Sequence, residues 1–235
     1  MFLGQWQKIT NDQTILHIIS GWEIPFVNKP PQMTAKSCIV SKGEEKIVEQ
    51  EIKKLISKGA IEQTKFVKGQ VLSSLFLREK KDGSQRPILN LRNLNKHIPY
   101  LHFKMESLKS VKDLMKKDDW MIKIDLKDAY FTVPLGEDSR KFVRFPWKGK
   151  LYQFLCLCFG LGPAPRLFTK LLKVPISLLR RIMIRLVIFL DDLLVFGSSE
   201  EEILEARDSV LYVLENLGFI ISQYFNPHEP WNIWE

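Results

Sequence analysis

Two adjacent carboxylates, Asp191 and Asp192, stand between the apolar runs Leu186–Leu190 and Leu193–Phe196. Both runs are short and rich in strand-forming residues, so the segment predicts a β-hairpin with the acids at its tip. Charge beside such a core is costly unless a cation compensates it. Acids on rigid strands therefore suit Mg²⁺, which prefers carboxylates and shares its remaining positions with phosphate and water. The pair alone is also what a plain turn would carry, since Asp is a favoured turn residue. A third acid, Asp125, follows Met121-Ile-Lys-Ile. A strand ending there can bring its carboxylate to the hairpin tip. Two divalent ions between such acids can activate a hydroxyl and stabilise a leaving pyrophosphate.

Two further segments could serve the same chemistry. Phe159-Gly160-Leu161-Gly162-Pro163-Ala164-Pro165 is a Gly/Pro-rich turn leading into a helical pattern. Glycine lets backbone approach a ligand closely, and a helix N-terminus favours anionic groups. Leu77-Arg78-Glu79-Lys80-Lys81-Asp82-Gly83-Ser84-Gln85-Arg86-Pro87 places cations on both arms of a tight hairpin. Such a device can fold over a triphosphate, Arg86 making planar multidentate contacts and a lysine acting as a point charge. Taken singly, these are also an ordinary loop–helix junction and an ordinary solvated hairpin.

Several elements must position these residues. Ser41 and Glu44 form a capping box, after which Val48, Ile52 and Leu55 recur at helical spacing up to Gly59. Strands are expected at Ser73–Lys80 and Arg86–Arg92, joined at Asp82-Gly83, a dipeptide favoured in hairpins. A helix over Met105–Leu114, a strand at Ile122–Asp125 and a hairpin of Phe142–Phe145 with Leu151–Leu155 follow. Ala164 to about Arg181 is helical, with a kink expected at Pro175. Ser199 with Glu202 opens a last helix that Gly218 ends. Helices interleaved with hairpins indicate an α+β fold.

With 235 residues, 45% of them apolar and 26% charged, the chain can fold as one large domain or two interleaved lobes. Arg181 and Arg185 interrupt the richest apolar stretch before any length that could cross a bilayer, and no membrane partner is expected. The N-terminus lacks the pattern of a secretory signal. Cys38, Cys156 and Cys158 have no metal-ligand spacing and argue for a reduced compartment, intracellular and either cytoplasmic or nuclear. The net charge of +8 is uneven: residues 1–120 hold 21 Lys/Arg against 13 Asp/Glu, and residues 121–235 hold 14 of each. A basic lobe facing a polyanion is one expectation from this, a solvated lysine-rich surface the other.

Together, and in this order, the four segments resemble the polymerase motifs of reverse transcriptases. The resemblance covers roughly residues 5–222. It is closest to the DIRS-type retrotransposon branch, through Trp6-Gln-Lys-Ile-Thr, the block from His102-Phe-Lys-Met-Glu to Val111-Lys-Asp-Leu, Lys123-Ile-Asp-Leu-Lys-Asp-Ala-Tyr and Arg185-Leu-Val-Ile-Phe-Leu-Asp-Asp-Leu-Leu. The stretch Arg140-Lys-Phe-Val-Arg-Phe-Pro-Trp-Lys-Gly-Lys-Leu-Tyr adds to it.

The resemblance implies the fingers and palm of a right-hand polymerase. The palm would be ferredoxin-like, an antiparallel sheet with packed helices, and the thumb absent. Residues 1–40 would be an N-terminal extension, 41–100 plus 137–163 the fingers, 101–136 plus 164–222 the palm, and 223–235 a divergent tail. It implies an RNA-directed DNA polymerase using two Mg²⁺ ions, with Mn²⁺ a substitute. Asp125 and Asp191 would be the main metal ligands, with Asp192 at or near the edge of the site. Lys80 or Lys81, Lys80 preferred, and Arg86 would hold the incoming deoxynucleoside triphosphate. Tyr130 would exclude a ribose 2′-hydroxyl, and Phe159 and Gly160 would line the nucleotide pocket. Partners would be an RNA or DNA template with its primer, and other parts of a retroelement polyprotein.

Some positions depart from the family's pattern. Phe189 stands where Tyr is common, Cys158 replaces a usual Pro, and Gly162-Pro163 is unusual before the helix. No Lys occurs after Lys173, although the family carries one in the loop after Ser222 as a candidate proton donor. The residues from about 223 are therefore expected to be a foreign tail from a frameshift, a splice or element decay. The competing expectation is a truncated, inactive remnant that only binds nucleic acid; an RNA-only polymerase is disfavoured by Tyr130.

Overall fold

The computed structural model of the chain describes residues 2–34, 42–79, 83 and 85–224. Two short helices, α1 (Leu3–Ile9) and α2 (Gln13–Gly21), precede α3 (Lys42–Ser57), whose Val48, Ile52 and Leu55 form the buried stripe that the sequence spacing predicts. Strand β1 (Ile61–Thr64) follows, then β2 (Leu75–Glu79) and β3 (Gln85–Leu89), then α4 (Arg92–Asn95) and α5 (Leu108–Leu114). Strand β4 (Trp120–Lys127) runs into a 3₁₀ turn at Ala129–Thr132, and α6 (Glu137–Arg140) leads to β5 (Arg144–Trp147) and β6 (Lys150–Phe154). The chain continues through α7 (Ala164–Arg181), β7 (Arg185–Phe189), β8 (Asp192–Gly197), α8 (Glu200–Asn216) and β9 (Ile220–Tyr224).

These elements form two compact units. The first takes its described residues from Met1–Leu16, His102–Ala129 and Pro165–Glu235. Its sheet is antiparallel, in the order β7-β8-β4-β9. Ile122, Ile124 and Leu126 alternate along β4 and are at most 2% exposed, so this face is core and Lys123, Asp125 and Lys127 take the other. Helix α8 packs on β8 and β4 through Ile203, Val210 and Leu214. Its start is as expected, the Ser199 hydroxyl accepting from the Glu202 amide at 3.1 Å, with Glu202 in turn accepting from the Ser198 amide. Trp6 of α1 donates its indole N–H to the Leu217 carbonyl and meets the edge of Phe219.

The second unit takes its described residues from His17–Leu101 and Tyr130–Ala164. It holds a three-stranded sheet, β1-β6-β5, and the β2–β3 hairpin. Arg144, 5% exposed, organises its core by donating to Gln153, Gln70 and the Lys65 carbonyl, which satisfies a guanidinium that would otherwise be costly to bury. Burial holds this arginine's pKa below its usual value.

Several boundaries differ from expectation. The strand expected over Arg86–Arg92 ends at Leu89, since the Asn90 side chain turns the chain by accepting from the Arg92 amide. The helix expected from Met105 starts at Leu108, because Glu106 is held outside it by Arg180 and the Ile188 amide. The interior of α7 contains Pro175 and the helix continues to Arg181. Strands β1 and β9 were not expected, and β9 carries the chain two residues beyond Ser222, into the segment expected to be foreign. The rest of that segment, the Ser41 cap, Cys38 and the turn residue Asp82 lie outside the described residues.

The charge divides more sharply by unit than by sequence half. The interleaved second unit holds 20 Lys/Arg against 10 Asp/Glu, and the first holds 15 against 17. The basic lobe expected over residues 1–120 is therefore the second unit, and its counterpart is slightly acidic.

Candidate active site

In the first unit, Asp125 and Asp192 are directly paired across β4 and β8. Opposed positions on neighbouring strands put Cβ atoms about 5 Å apart, and like charges directly opposite are destabilising there, by up to about 1 kcal/mol. Both residues are half-buried, on the sheet face opposite the core. Each has a partner. Lys123, two residues before Asp125 on the same face, places its ammonium 2.9 Å from Asp192 Oδ1. The Ser222 hydroxyl, from β9, donates to Asp125 Oδ2 and lies 3.2 Å from the Asp125 carbonyl oxygen.

Asp191 occupies the tip. Phe189 pairs with Asp192, which leaves Leu190 and Asp191 as a two-residue turn. Such turns match the twist of a hairpin only with positive φ at their first residue, and Leu190 has φ 56°. A leucine there costs about 1–2 kcal/mol relative to an ordinary conformation. The Asp191 carbonyl accepts from the Leu126 amide at 2.9 Å, fixing the tip to the residue after Asp125.

Hairpin β7–β8 is braced from outside. Strand β7 is the sheet edge, whose open backbone groups need partners. Glu106 accepts from the Ile188 amide at 2.9 Å and from Arg180 at 2.7 and 2.9 Å, and Arg180 donates onward to the Leu186 carbonyl. At the start of β7, Arg185 makes a two-pronged pair with Asp119 at 2.6 and 2.7 Å, the carboxylate being only 2% exposed. Hydrogen bonding from Arg185 is the main reason that the Asp119 pKa lies below its usual value. Glu106, Arg180 and Leu190 also line a cavity of about 190 Å³ with Lys104 and Lys173.

In the second unit, two expected residues, Arg86 and Tyr130, gather around the ring of a third, Phe159, and Gly160 follows it in the chain. The Arg86 guanidinium carbon lies 4.5 Å from the centre of the Phe159 ring, within cation–π range. Tyr130 meets the same ring at 5.3 Å between centroids. Gly160 has φ 101°, and a Cβ there would stand 2.3 Å from the Leu89 carbonyl oxygen, so only glycine fits. Asn95 clamps this turn, donating to the Gly160 carbonyl and accepting from the Gly162 amide, each at 2.9 Å. Arg78 and Arg86 face each other across β2 and β3, so the hairpin does carry paired cations. Lys80 and Lys81 lie outside the described residues.

Among the described residues, no group of three or more His, Cys, Asp or Glu side chains forms a preformed metal cage. Cys156 and Cys158 are both buried, and burial pushes the Cys158 pKa far up, consistent with an inert packing role. No helix among the described residues is long and apolar enough to cross a membrane.

Residues 78–224, which include the acids of the first unit and the Phe159 cluster of the second, match the family model described as "Reverse transcriptase (RNA-dependent DNA polymerase)". The chain belongs to the reverse transcriptase family. It is similar to the Pro-Pol polyprotein of simian foamy virus type 1, 26% identical over 61% of this chain and 12% of the relative. It is also similar to the Transposon Tf2-3 polyprotein of Schizosaccharomyces pombe (strain 972 / ATCC 24843), 20% identical over 91% of this chain and 16% of that one. Among solved structures, the foamy viral protease-reverse transcriptase in complex with RNA/DNA hybrid superposes with a TM-score of 0.73 at 19% identity, covering 94% of this chain and 32% of that one. The chain thus spans a third or less of the length of each relative. The shared fold confirms the α+β fingers-and-palm expectation.

Sequence reasoning missed Lys123, Ser222, Asn95, Glu106 and Arg180. Lys123 was legible in principle, because a strand alternates and residue 123 shares its face with Asp125. The others come from distant chain positions, and no local signal announces them.

Proposed function

We propose that this chain is the polymerase domain of an RNA-directed DNA polymerase from a retroelement polyprotein of the DIRS-type branch. One observation carries the reading: in a reverse transcriptase family member, Asp125 and Asp192 stand opposite each other beside the turn that holds Asp191. Like charges kept together on a solvent-facing sheet surface favour a bound cation, and hard carboxylate oxygens suit Mg²⁺ or Mn²⁺. Two such ions would activate the primer 3′-hydroxyl and neutralise the departing pyrophosphate.

The protein's own residues do the rest by holding groups in place. Asp125 and Asp191 are the principal ligands, with Asp192 at the margin. Arg86, kept flat by the Phe159 ring, presents a planar fork to the triphosphate, and Lys80, with Lys81 as its neighbour, adds a point charge. The Gly160 turn lets backbone lie close beneath the nucleotide. Tyr130, propped against Phe159, is the bulk that turns away a ribose 2′-hydroxyl. In this reading the first unit serves as palm and the basic second unit as fingers toward template and primer. The setting is intracellular, cytoplasmic or nuclear.

Primer extension on an RNA template with Mg²⁺ tests this. Deoxynucleotides should be incorporated in strong preference to ribonucleotides, and Tyr130→Ala should erode that preference by about tenfold or more. Template binding without extension by the wild-type chain would overturn the reading in favour of a remnant that only binds nucleic acid.

A further inference from the structure

The geometry points to Lys123 as a positioning residue for the metal centre: its ammonium holds Asp192 by an ion pair, so that Asp125 takes up the ion ahead of Asp192. This rests on the metal reading above and goes one step further, since it assigns the unequal roles of the acids to a cation within the protein.

Three observations converge. Asp192 and Asp125 are paired directly across β8 and β4, which places their charges side by side. Lys123 lies on the same face of β4 as Asp125, two residues earlier, and pairs with Leu194, the next residue on the Asp192 face of β8. From that diagonal position its ammonium reaches Asp192 Oδ1 at 2.9 Å. Asp125 is bound elsewhere, by the Ser222 hydroxyl. The two opposed acids therefore have different keepers. A hydroxyl can stay hydrogen-bonded to a carboxylate that also ligates a metal, whereas an ammonium competes with the metal for the same negative charge.

An exposed ion pair contributes little by itself. Here it does more, because the lysine also offsets repulsion between Asp125 and Asp192 when no metal is bound. Lys127 is the natural comparison. It carries the same charge on the same face of β4, two residues to the other side of Asp125, but is not paired with Asp192 in the structure.

The test titrates the full chain with Mn²⁺, without nucleotide, and reads free Mn²⁺ by electron paramagnetic resonance. Lys123→Met should bind Mn²⁺ about tenfold more tightly than wild type, or take up one more ion. Lys123→Arg should stay within about twofold of wild type, and so should Lys127→Met. In EDTA, melting of Lys123→Met, Asp192→Asn and the double variant should show coupling between the two positions. Equal responses of Lys123→Met and Lys127→Met would reduce the effect to general electrostatics and overturn the proposal alone, as would absence of coupling in EDTA. A wild-type chain that takes up no Mn²⁺ would overturn the metal reading and this proposal with it.

Discussion

Asp125 and Asp192 face each other across two hydrogen-bonded strands, and nothing in the packing of the sheet requires them to do so. Their other neighbours along the same face include Lys123, Lys127 and Leu194, ordinary for a solvated sheet surface. The opposition is a standing electrostatic cost, and it makes sense where a cation is part of the working state. Lys123 offsets only part of that cost, so Asp125→Asn should raise the stability of the metal-free chain by up to about 1 kcal/mol, while lowering the stabilisation that Mg²⁺ gives. Denaturant unfolding with and without Mg²⁺ checks both signs.

The turn at Leu190 gives a second expectation. Its positive φ is strained for leucine and more so for a β-branched residue. Leu190→Val should destabilise the chain by about 1–2 kcal/mol, whereas Leu190→Gly should be within about 1 kcal/mol of wild type, relief of strain being offset by a more flexible unfolded chain. Extension activity should fall in the glycine variant, because the Asp191 tip loses its stiffness. Melting temperatures and primer extension on the two proteins distinguish stiffness from stability.

The edge brace can be tested at one amide. Glu106→Ala removes the acceptor of the Ile188 N–H and leaves Arg180 without its carboxylate, a loss of about 1–3 kcal/mol. Hydrogen exchange at Ile188 should quicken more than exchange within α8. An unchanged rate at Ile188 would show that the brace does not hold the strand.

Acid sensitivity follows from Asp119. Its folded-state pKa is lowered by Arg185, so the pair contributes stability that is fully present above the unfolded carboxylate value of about 4 and is lost as pH falls through the lowered folded value. Asp119→Asn should cost about 2–3 kcal/mol at neutral pH. It should also flatten the decline in stability below about pH 4. Urea midpoints of wild type and variant across that range measure it.

What the sequence made legible was whatever chemistry a short stretch could encode. Short apolar runs of strand-forming residues on either side of Asp191-Asp192 specified the hairpin, and the Ser199–Glu202 box specified the start of α8. The Gly/Pro-rich turn at Phe159–Pro165 was legible from its composition, and the structure adds the reason for Gly160, a positive φ hard against the Leu89 carbonyl. An interleaved division, 41–100 plus 137–163 against 101–136 plus 164–222, came from the family resemblance, since local pattern alone does not say which segments pack together. Read along the chain, the positive excess falls in the first 120 residues; grouped by unit, it is larger still in the second unit. Residues such as Glu106, Ser222 and Asn95 act across 65 to 97 positions of chain, where local pattern is silent.

The most direct measurement is anomalous scattering from crystals of this chain grown with Mn²⁺, a primer–template duplex and a non-hydrolysable deoxynucleoside triphosphate. A metal peak bonded to carboxylate oxygens of both Asp125 and Asp191 is the predicted result. Metal bound to only one of them, or to neither, would contradict the account.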